Sequence, residues 1–285
     1  MPSLRKLSLA LFAVTLFVGG PRAARADENM FGYAYGSETL PKGKGEVYAW
    51  ITRRSGKESG TYHAWDLSTE GEYGFSDRFQ ASLYLNWRAH DIQNVPGLDD
   101  RDNLGFQGAQ VAFKYRLTSP YDSPIGLALY FEPGYSHIHK ITGERVQEWE
   151  FETKLIAQKN FAGDRVITAA NYMIEQEFER ASGGSPDFEG ELAMELTAGA
   201  SLRVAPGWFV GVEGRGHTEF PDMDLGNQEH MAWFLGPNLH YGAKDWWFTA
   251  TVLPQVSGWP NTGDSSLHLE EHEKSEMRLK IGINL

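Results

Sequence analysis

The strongest constraint in this chain is a period-two alternation of apolar and polar residues that returns segment after segment. From His63 to Phe75 the odd positions Trp65, Leu67, Thr69, Tyr73 and Phe75 are apolar or nearly so, and the even positions Asp66, Ser68, Glu70 and Glu72 are polar. After Ser76-Asp77 the pattern resumes, with Phe79, Ala81, Leu83, Leu85, Trp87 and Ala89 set against Gln80, Ser82, Tyr84, Asn86, Arg88 and His90. Side chains on a strand alternate faces, so each such segment has one greasy face and one wet face.

Further segments of the same kind centre on Val111, Leu127, Phe151, Tyr172, Leu196, Val210, Leu235, Phe248 and Ile281. The segment near Gly45 to Thr52 is the hardest to orient, because Tyr48, Ala49, Trp50 and Ile51 run together. Twelve strands result. The connections after strands 2, 4, 6, 8 and 10 are short, as at Ser76-Asp77. The others are mostly longer and more polar, as at Asp91 to Asn103, Pro221 to Gln228 and Gly258 to Glu273. Short turns on one side and long loops on the other, with two aromatic belts about 25 Å apart around an aliphatic band, describe an all-β, transmembrane, antiparallel up-and-down β-barrel. The same alternation would suit a soluble barrel turned inside out. Strand length, the Trp and Tyr rims and the leader favour the membrane form.

That leader occupies residues 1–26. Arg5 and Lys6 precede an apolar run from Leu7 to Gly19, and Ala24-Arg25-Ala26 offers a small-x-small cleavage site. The run is too short for a spanning helix, which needs roughly 20 residues. Cleavage removes Arg5, Lys6, Arg22 and Arg25, leaving 22 basic residues against 38 acidic ones. So acidic a chain is no partner for nucleic acid. There is no cysteine, so disulfides and thiolate chemistry are excluded. Residues 27–44, with Gly32, Gly36, Pro41 and Gly43, read as a flexible periplasmic or lumen-entering segment ahead of a barrel at 45–285.

The final residues, Met277-Arg-Leu-Lys-Ile-Gly-Ile-Asn-Leu285, resemble the last strand of Gram-negative outer-membrane proteins. In that class Met277, Leu279, Ile281, Ile283 and Leu285 would form the apolar face read by the barrel assembly machinery. The usual last residue there is aromatic, and here it is Leu285. The chain is similar to uncharacterised outer-membrane transporter barrels of about twelve strands. The resemblance implies residence in the cell outer membrane, among its lipid and lipopolysaccharide, and no chemistry.

The wet face supplies the candidate site. Glu148, Glu150 and Glu152 lie on strand 6, Glu175 and Glu177 on strand 7, Glu189, Glu191 and Glu195 on strand 8, and Glu213 on strand 9. Arg88, Lys114, Arg116, Lys154, Arg203 and Arg215 are basic neighbours on the same face. Two expectations follow. One is a channel or transporter for small, possibly cationic, solutes, with these residues lining its pore. The other is a closed barrel with a structural or adhesive role through its loops.

A lipid-acting enzyme ranks third. The outer-membrane phospholipases carry an Asn-His-x-Ser-type run, whereas Ser136-His137-Ile138-His139 has the wrong order and puts Ser136 and His137 on opposite faces. The string His268-Leu-Glu-Glu-His272 matches an inverted zinc-protease pattern that needs a helix; here it falls in a loop read as solvated. His217, His230 and His240 read as lumen hydrogen-bonders, and neither a catalytic group, a metal site nor a cofactor is expected.

Overall fold

The computed structural model describes residues 29–184 and 186–285. The leader therefore lies outside the described residues. Twelve antiparallel strands close on themselves in simple up-and-down order. They are β1 (Gly45–Ser55), β2 (Thr61–Ser76), β3 (Phe79–Gln93), β4 (Arg101–Thr118), β5 (Gly126–Ile138) and β6 (Arg145–Phe161). The second half comprises β7 (Val166–Ala181), β8 (Glu189–Ala205), β9 (Trp208–Pro221), β10 (His230–Gly242), β11 (Trp246–Trp259) and β12 (Ser275–Asn284). The seam is β1 against β12, with Val47 opposite Ile283 and Ile51 opposite Leu279. Closure leaves no unpaired edge, the condition for crossing hydrocarbon with strands.

The alternation sets which face goes where. Leu83, Leu85, Val111, Leu129, Leu196, Val210 and Leu279 are exposed on the outside. Ser68, Glu70, Ser82, Ala112, Ala128, Asn171 and Thr251 are buried inside. The ambiguous first strand resolves the same way: Val47 and Ile51 face out, while Glu46, Tyr48, Thr52 and Arg54 are buried in the lumen. At the short-turn end the outer aromatics touch, Trp208 to Tyr241 at 4.7 Å and Tyr73 to Phe75 at 5.0 Å between ring centres. At the long-loop end Tyr135 packs on Trp149 at 4.8 Å and Trp87 on Phe106 at 5.6 Å. A closed barrel with an apolar band between two aromatic belts is an outer-membrane protein, its outer face in contact with lipid and lipopolysaccharide.

Two expectations change. The strands run past the bilayer, so of the polar connection expected from Asp91 to Asn103, Asp91 to Gln93 belong to β3 and Arg101 to Asn103 to β4. A bulge opposite Asn86 and Trp87 shifts the register there, so above it the outward residues of β4 become the even-numbered Leu104 and Phe106. Second, of the two readings for residues 27–44, residues 29–40 follow the lumen-entering one, while 41–44 are exposed. Met30, Phe31, Tyr33, Ala34 and Ser37 are buried inside the barrel.

Candidate functional site

The lumen has two unlike halves. The half toward the short turns is filled by residues 29–40. This segment has no strand or helix, so its backbone polar groups need partners from the barrel wall. Glu213 of β9 supplies most of them: its carboxylate accepts the N–H groups of Gly32 (2.9 Å), Tyr33 (2.7 Å) and Ala34 (2.7 Å), and the Thr251 hydroxyl at 3.0 Å. Asn171 accepts from Tyr35 N at 2.6 Å and donates to Tyr35 O at 3.0 Å. Gln158 accepts from Ser37 N and Gln80 from Leu40 N. Lys280 donates to the Asn29 side chain, and Arg116 pairs with Glu38. Met30 and Phe31 pack on Ile167, Ala169 and Phe209 of the wall. Gly199 makes room for Phe31: a Cβ there would lie 2.5 Å from the ring.

Above this plug lies a layer of rings. Tyr35 meets Tyr130 at 5.6 Å, Trp50 meets Tyr84 edge-on at 5.6 Å, and the Tyr84 and Tyr130 hydroxyls hydrogen-bond at 3.0 Å. Arg278 lies 3.9 Å from the centre of the Tyr33 ring and donates to Gly32 O.

The half toward the long loops holds a cavity of about 470 Å³. Eleven carboxylate side chains line it, against the three cations Arg88, Lys140 and Arg278. Strand register explains the density. Every second residue of β6 from Glu148 to Glu152 faces in, and on β7 so do Glu175, Glu177 and Glu179. The pairing sets Glu148 against Glu179, Glu150 against Glu177, and Glu152 against Glu175. It also sets Glu177 against Glu191 of β8, and Glu152 against Glu132 of β5. Like charges at directly paired positions are destabilising, so the rows are not what packing alone would select.

Arginines and lysines of this half pair with only some of these carboxylates, Asp66 and Glu152 among them, or with carboxylates outside the cavity. Arg54 and Arg88 both bind Asp66, at 2.9 and 2.6 Å. Lys154 binds Glu152 at 2.7 Å, and Arg215 binds Glu195 at 2.5 Å and Glu276 at 2.7 Å. Glu150 accepts from neutral donors, the Ser136 hydroxyl at 2.9 Å and the Gln110 amide at 3.0 Å.

Of the wall residues expected from sequence, Arg88, Glu148, Glu150, Glu152, Glu175, Glu177 and Glu191 line this one cavity. Lys154, Glu195 and Arg215 face in but do not reach its surface. Glu189 sits exposed at the outer rim. Glu213 and Arg116 hold the plug, and Lys114 is buried in the lumen without reaching the cavity surface. Arg203 is at the short-turn rim, donating to Asp164 O. Sequence periodicity gives the face of these five but not their depth relative to the plug.

The long loops fold inward over the cavity. In the 139–144 connection the Lys140 carbonyl accepts from Arg54 at 2.7 Å and the Ile141 carbonyl from the Tyr62 hydroxyl at 3.0 Å. His139 accepts the N–H groups of Ile141 and Thr142 on Nδ1 at 3.2 and 3.1 Å. Burial, reinforced by the Arg88 and Lys140 charges, pushes its pKa down to about 4. The 260–274 connection is not a solvated loop: His268, Leu269, His272 and Glu273 are buried. Gln255 donates to His268 O and Glu273 O, Lys57 to Glu270 O and His272 O, and Arg54 binds Glu273 at 2.9 Å. Ser136 and His137 do face opposite ways, Ser136 to Glu150 and His137 to the outer rings of Tyr135 and Phe106.

Solved structures share this fold at low identity. The COG4313 outer membrane channel from Pseudomonas putida F1 superposes with a TM-score of 0.57 at 10% identity, covering 87% of this chain and 98% of that one. The beta domain of the Bordetella autotransporter BrkA gives 0.53 at 15% identity, covering 86% and 100%. The NanC porin gives 0.50 at 12% identity, covering 84% and 98%. No curated protein sequence matches the chain. A family model does, across residues 23–285, and the chain belongs to that family, DUF6662, a family of unknown function.

Proposed function

We propose that this barrel is an outer-membrane channel for small cationic solutes, with the acidic cavity as its outer vestibule and residues 29–40 as its inner gate. The observation that carries this reading is the row Glu150, Glu177 and Glu191, set side by side on three adjacent strands around the cavity. In a water-poor lumen such a row lowers the energy of a cation and raises that of an anion. The channels and porins that share the fold agree with this reading. Of the wall residues, Arg88, Glu148, Glu150, Glu152, Glu175, Glu177 and Glu191 form the selectivity surface. Assembly through the last strand, with Met277, Leu279, Ile281, Ile283 and Leu285 on its outer face, completes the proposal.

The test is conductance of the refolded barrel in planar bilayers, with reversal potentials in a salt gradient. The reading expects low conductance from the full chain. Deletion of residues 29–40 should give larger steps that prefer cations. Replacing Glu150, Glu177 and Glu191 by Gln should erase that preference. Silence from the deleted but folded barrel would overturn it. A second reading then stands, the closed barrel acting through its loops, which the filled inner half favours.

A further inference from the structure

Arg53 of β1 lies on the outer side of the wall. In its two ladders it stands opposite Trp65 of β2 and Met277 of β12, and one tier below it are the exposed Ile51 and Leu279. One tier above it, Ser55 stands opposite His63 of β2 and Ser275 of β12. Paired residues share a face, so these groups form one outward patch on three adjacent strands. Trp65 sits one tier above Trp87, a ring of the belt at the long-loop end. Such belts lie at the level of the lipid headgroups, and the long loops of these barrels face outside. The patch is therefore at headgroup height in the outer leaflet.

Inside the lumen Arg54, Arg88, Arg116 and Arg215 each hold a carboxylate. Arg53 instead meets a neutral ring: its Nη2 donates to His63 Nδ1 at 3.0 Å. A guanidinium only donates, so Nδ1 is the bare nitrogen of His63 and its hydrogen is on Nε2. The ring is set in place by Trp65, 5.7 Å away between centres. Ser55 Oγ and Ser275 Oγ lie 3.2 Å apart. One of these hydroxyls donates to the other, which leaves one hydroxyl hydrogen over. The patch thus offers a guanidinium, an imidazole N–H and a hydroxyl, all donors. Asp91, opposite His63 on β3, borders it and accepts from Gln93 at 2.9 Å. In a chain with 38 acidic residues, an arginine turned toward the membrane and bound to an imidazole is matched to an anion outside the chain. The lipid of the outer leaflet carries phosphates at this height, and the planar fork of arginine takes two phosphate oxygens at once.

We propose that Arg53 and His63 bind one phosphate of a lipopolysaccharide headgroup, with the Ser55–Ser275 pair as a further donor and the acyl chains lying on Met277 and Leu279 below. The site uses the outer face alone and stands whether or not the barrel conducts.

The test uses the full mature barrel, refolded in detergent and titrated with bisphosphorylated lipid A by native mass spectrometry. The second probe is the same lipid A with both phosphates removed. The wild-type barrel should bind the phosphorylated probe at least about 10-fold more tightly. Arg53→Gln should remove most of that advantage, and His63→Leu about 3-fold of it, with the phosphate-free probe unchanged in both. Arg78→Gln removes the same charge from an exposed turn at the other end and should leave both affinities within about 2-fold. Heat-modifiable migration checks folding of each variant. Equal affinity of the wild-type barrel for the two probes would overturn the proposal, and this comparison requires no variant to fold. A loss in Arg78→Gln as large as in Arg53→Gln would also overturn it, as the behaviour of net charge alone. Inorganic phosphate in large excess should leave the lipid bound; displacement would mark a site for the free ion and overturn the assignment to lipid.

Discussion

Glu150 stands directly opposite Glu177 in the β6–β7 ladder, and both side chains line the same cavity. Facing positions on paired strands bring Cβ atoms to about 5 Å, close enough for like charges to oppose folding. Glu177→Gln keeps the shape and removes the repulsion. The barrel should then unfold at higher denaturant, by about 0.2–1 kcal/mol, while losing cation preference. A variant that is less stable than the wild type would show that the pair is held by something other than tolerance of repulsion.

The plug hangs on one carboxylate. Glu213 accepts three consecutive backbone N–H groups, from Gly32, Tyr33 and Ala34. Hydrogen bonds to a charged group contribute roughly 1.5–3 kcal/mol each. Glu213→Ala strands all three donors in the lumen, so residues 29–40 should leave it. Chymotrypsin should then trim the chain at Phe31, Tyr33 or Tyr35 without cutting the barrel. A segment as protected as in the wild type would mean that the Asn171, Gln158 and Gln80 contacts suffice.

Gly199 offers an independent way to move the same segment. A side chain at this inward position of β8 collides with the Phe31 ring. Valine suits a strand better than glycine, so β8 itself should gain. Gly199→Val is therefore expected to raise conductance with no loss of heat-modifiable folding. Unchanged conductance would place the constriction elsewhere than at Phe31.

His139 gives the outer loop a pH dependence. Its Nδ1 accepts two backbone N–H groups, which a protonated ring cannot do. Burial and the cations Arg88 and Lys140 hold its pKa near about 4, against about 6.5 in an open chain. Glu179, 4.0 Å from Nε2, pulls the other way but less strongly. A depressed histidine costs nothing above pH 6.5 and weakens the docked loop as the pH falls toward about 4. With no native cysteine, Glu144→Cys provides a unique spin-label site on that loop. The label should gain mobility between pH 6.5 and about 4, and His139→Gln should flatten the change. Mobility that rises equally in the His139→Gln background would assign the effect to the glutamates.

Strand number, faces and the sidedness of turns and loops were legible in the sequence because each depends on residues two apart or a few apart. A lumen-facing glutamate at 150 follows from Trp149 and Phe151 facing the other way. Its partner does not: that Glu150 meets Glu177 depends on the β6–β7 register, which a one-residue slip would abolish. Even the legible part had limits, since the bulge opposite Asn86 and Trp87 reverses the faces of upper β4 without a strong local signal.

Depth and company were decided by the tertiary structure alone. Glu150 and Glu213 look alike as inward glutamates, yet one lines a cavity and the other grips the backbone of residues 32–34. The segment that makes this difference has no periodicity of its own, because the backbone N–H groups of residues 33–37 that bond the wall reach side chains 120 or more residues away. The histidines behave likewise: 217, 230, 268 and 272 are scattered along the chain and meet only because β9, β10 and the 260–274 connection share one arc of the closed barrel. Alternation is a property of neighbours and was written in the sequence. What fills the inside of a closed cylinder depends on contacts between distant parts of the chain, and only the folded barrel fixes those.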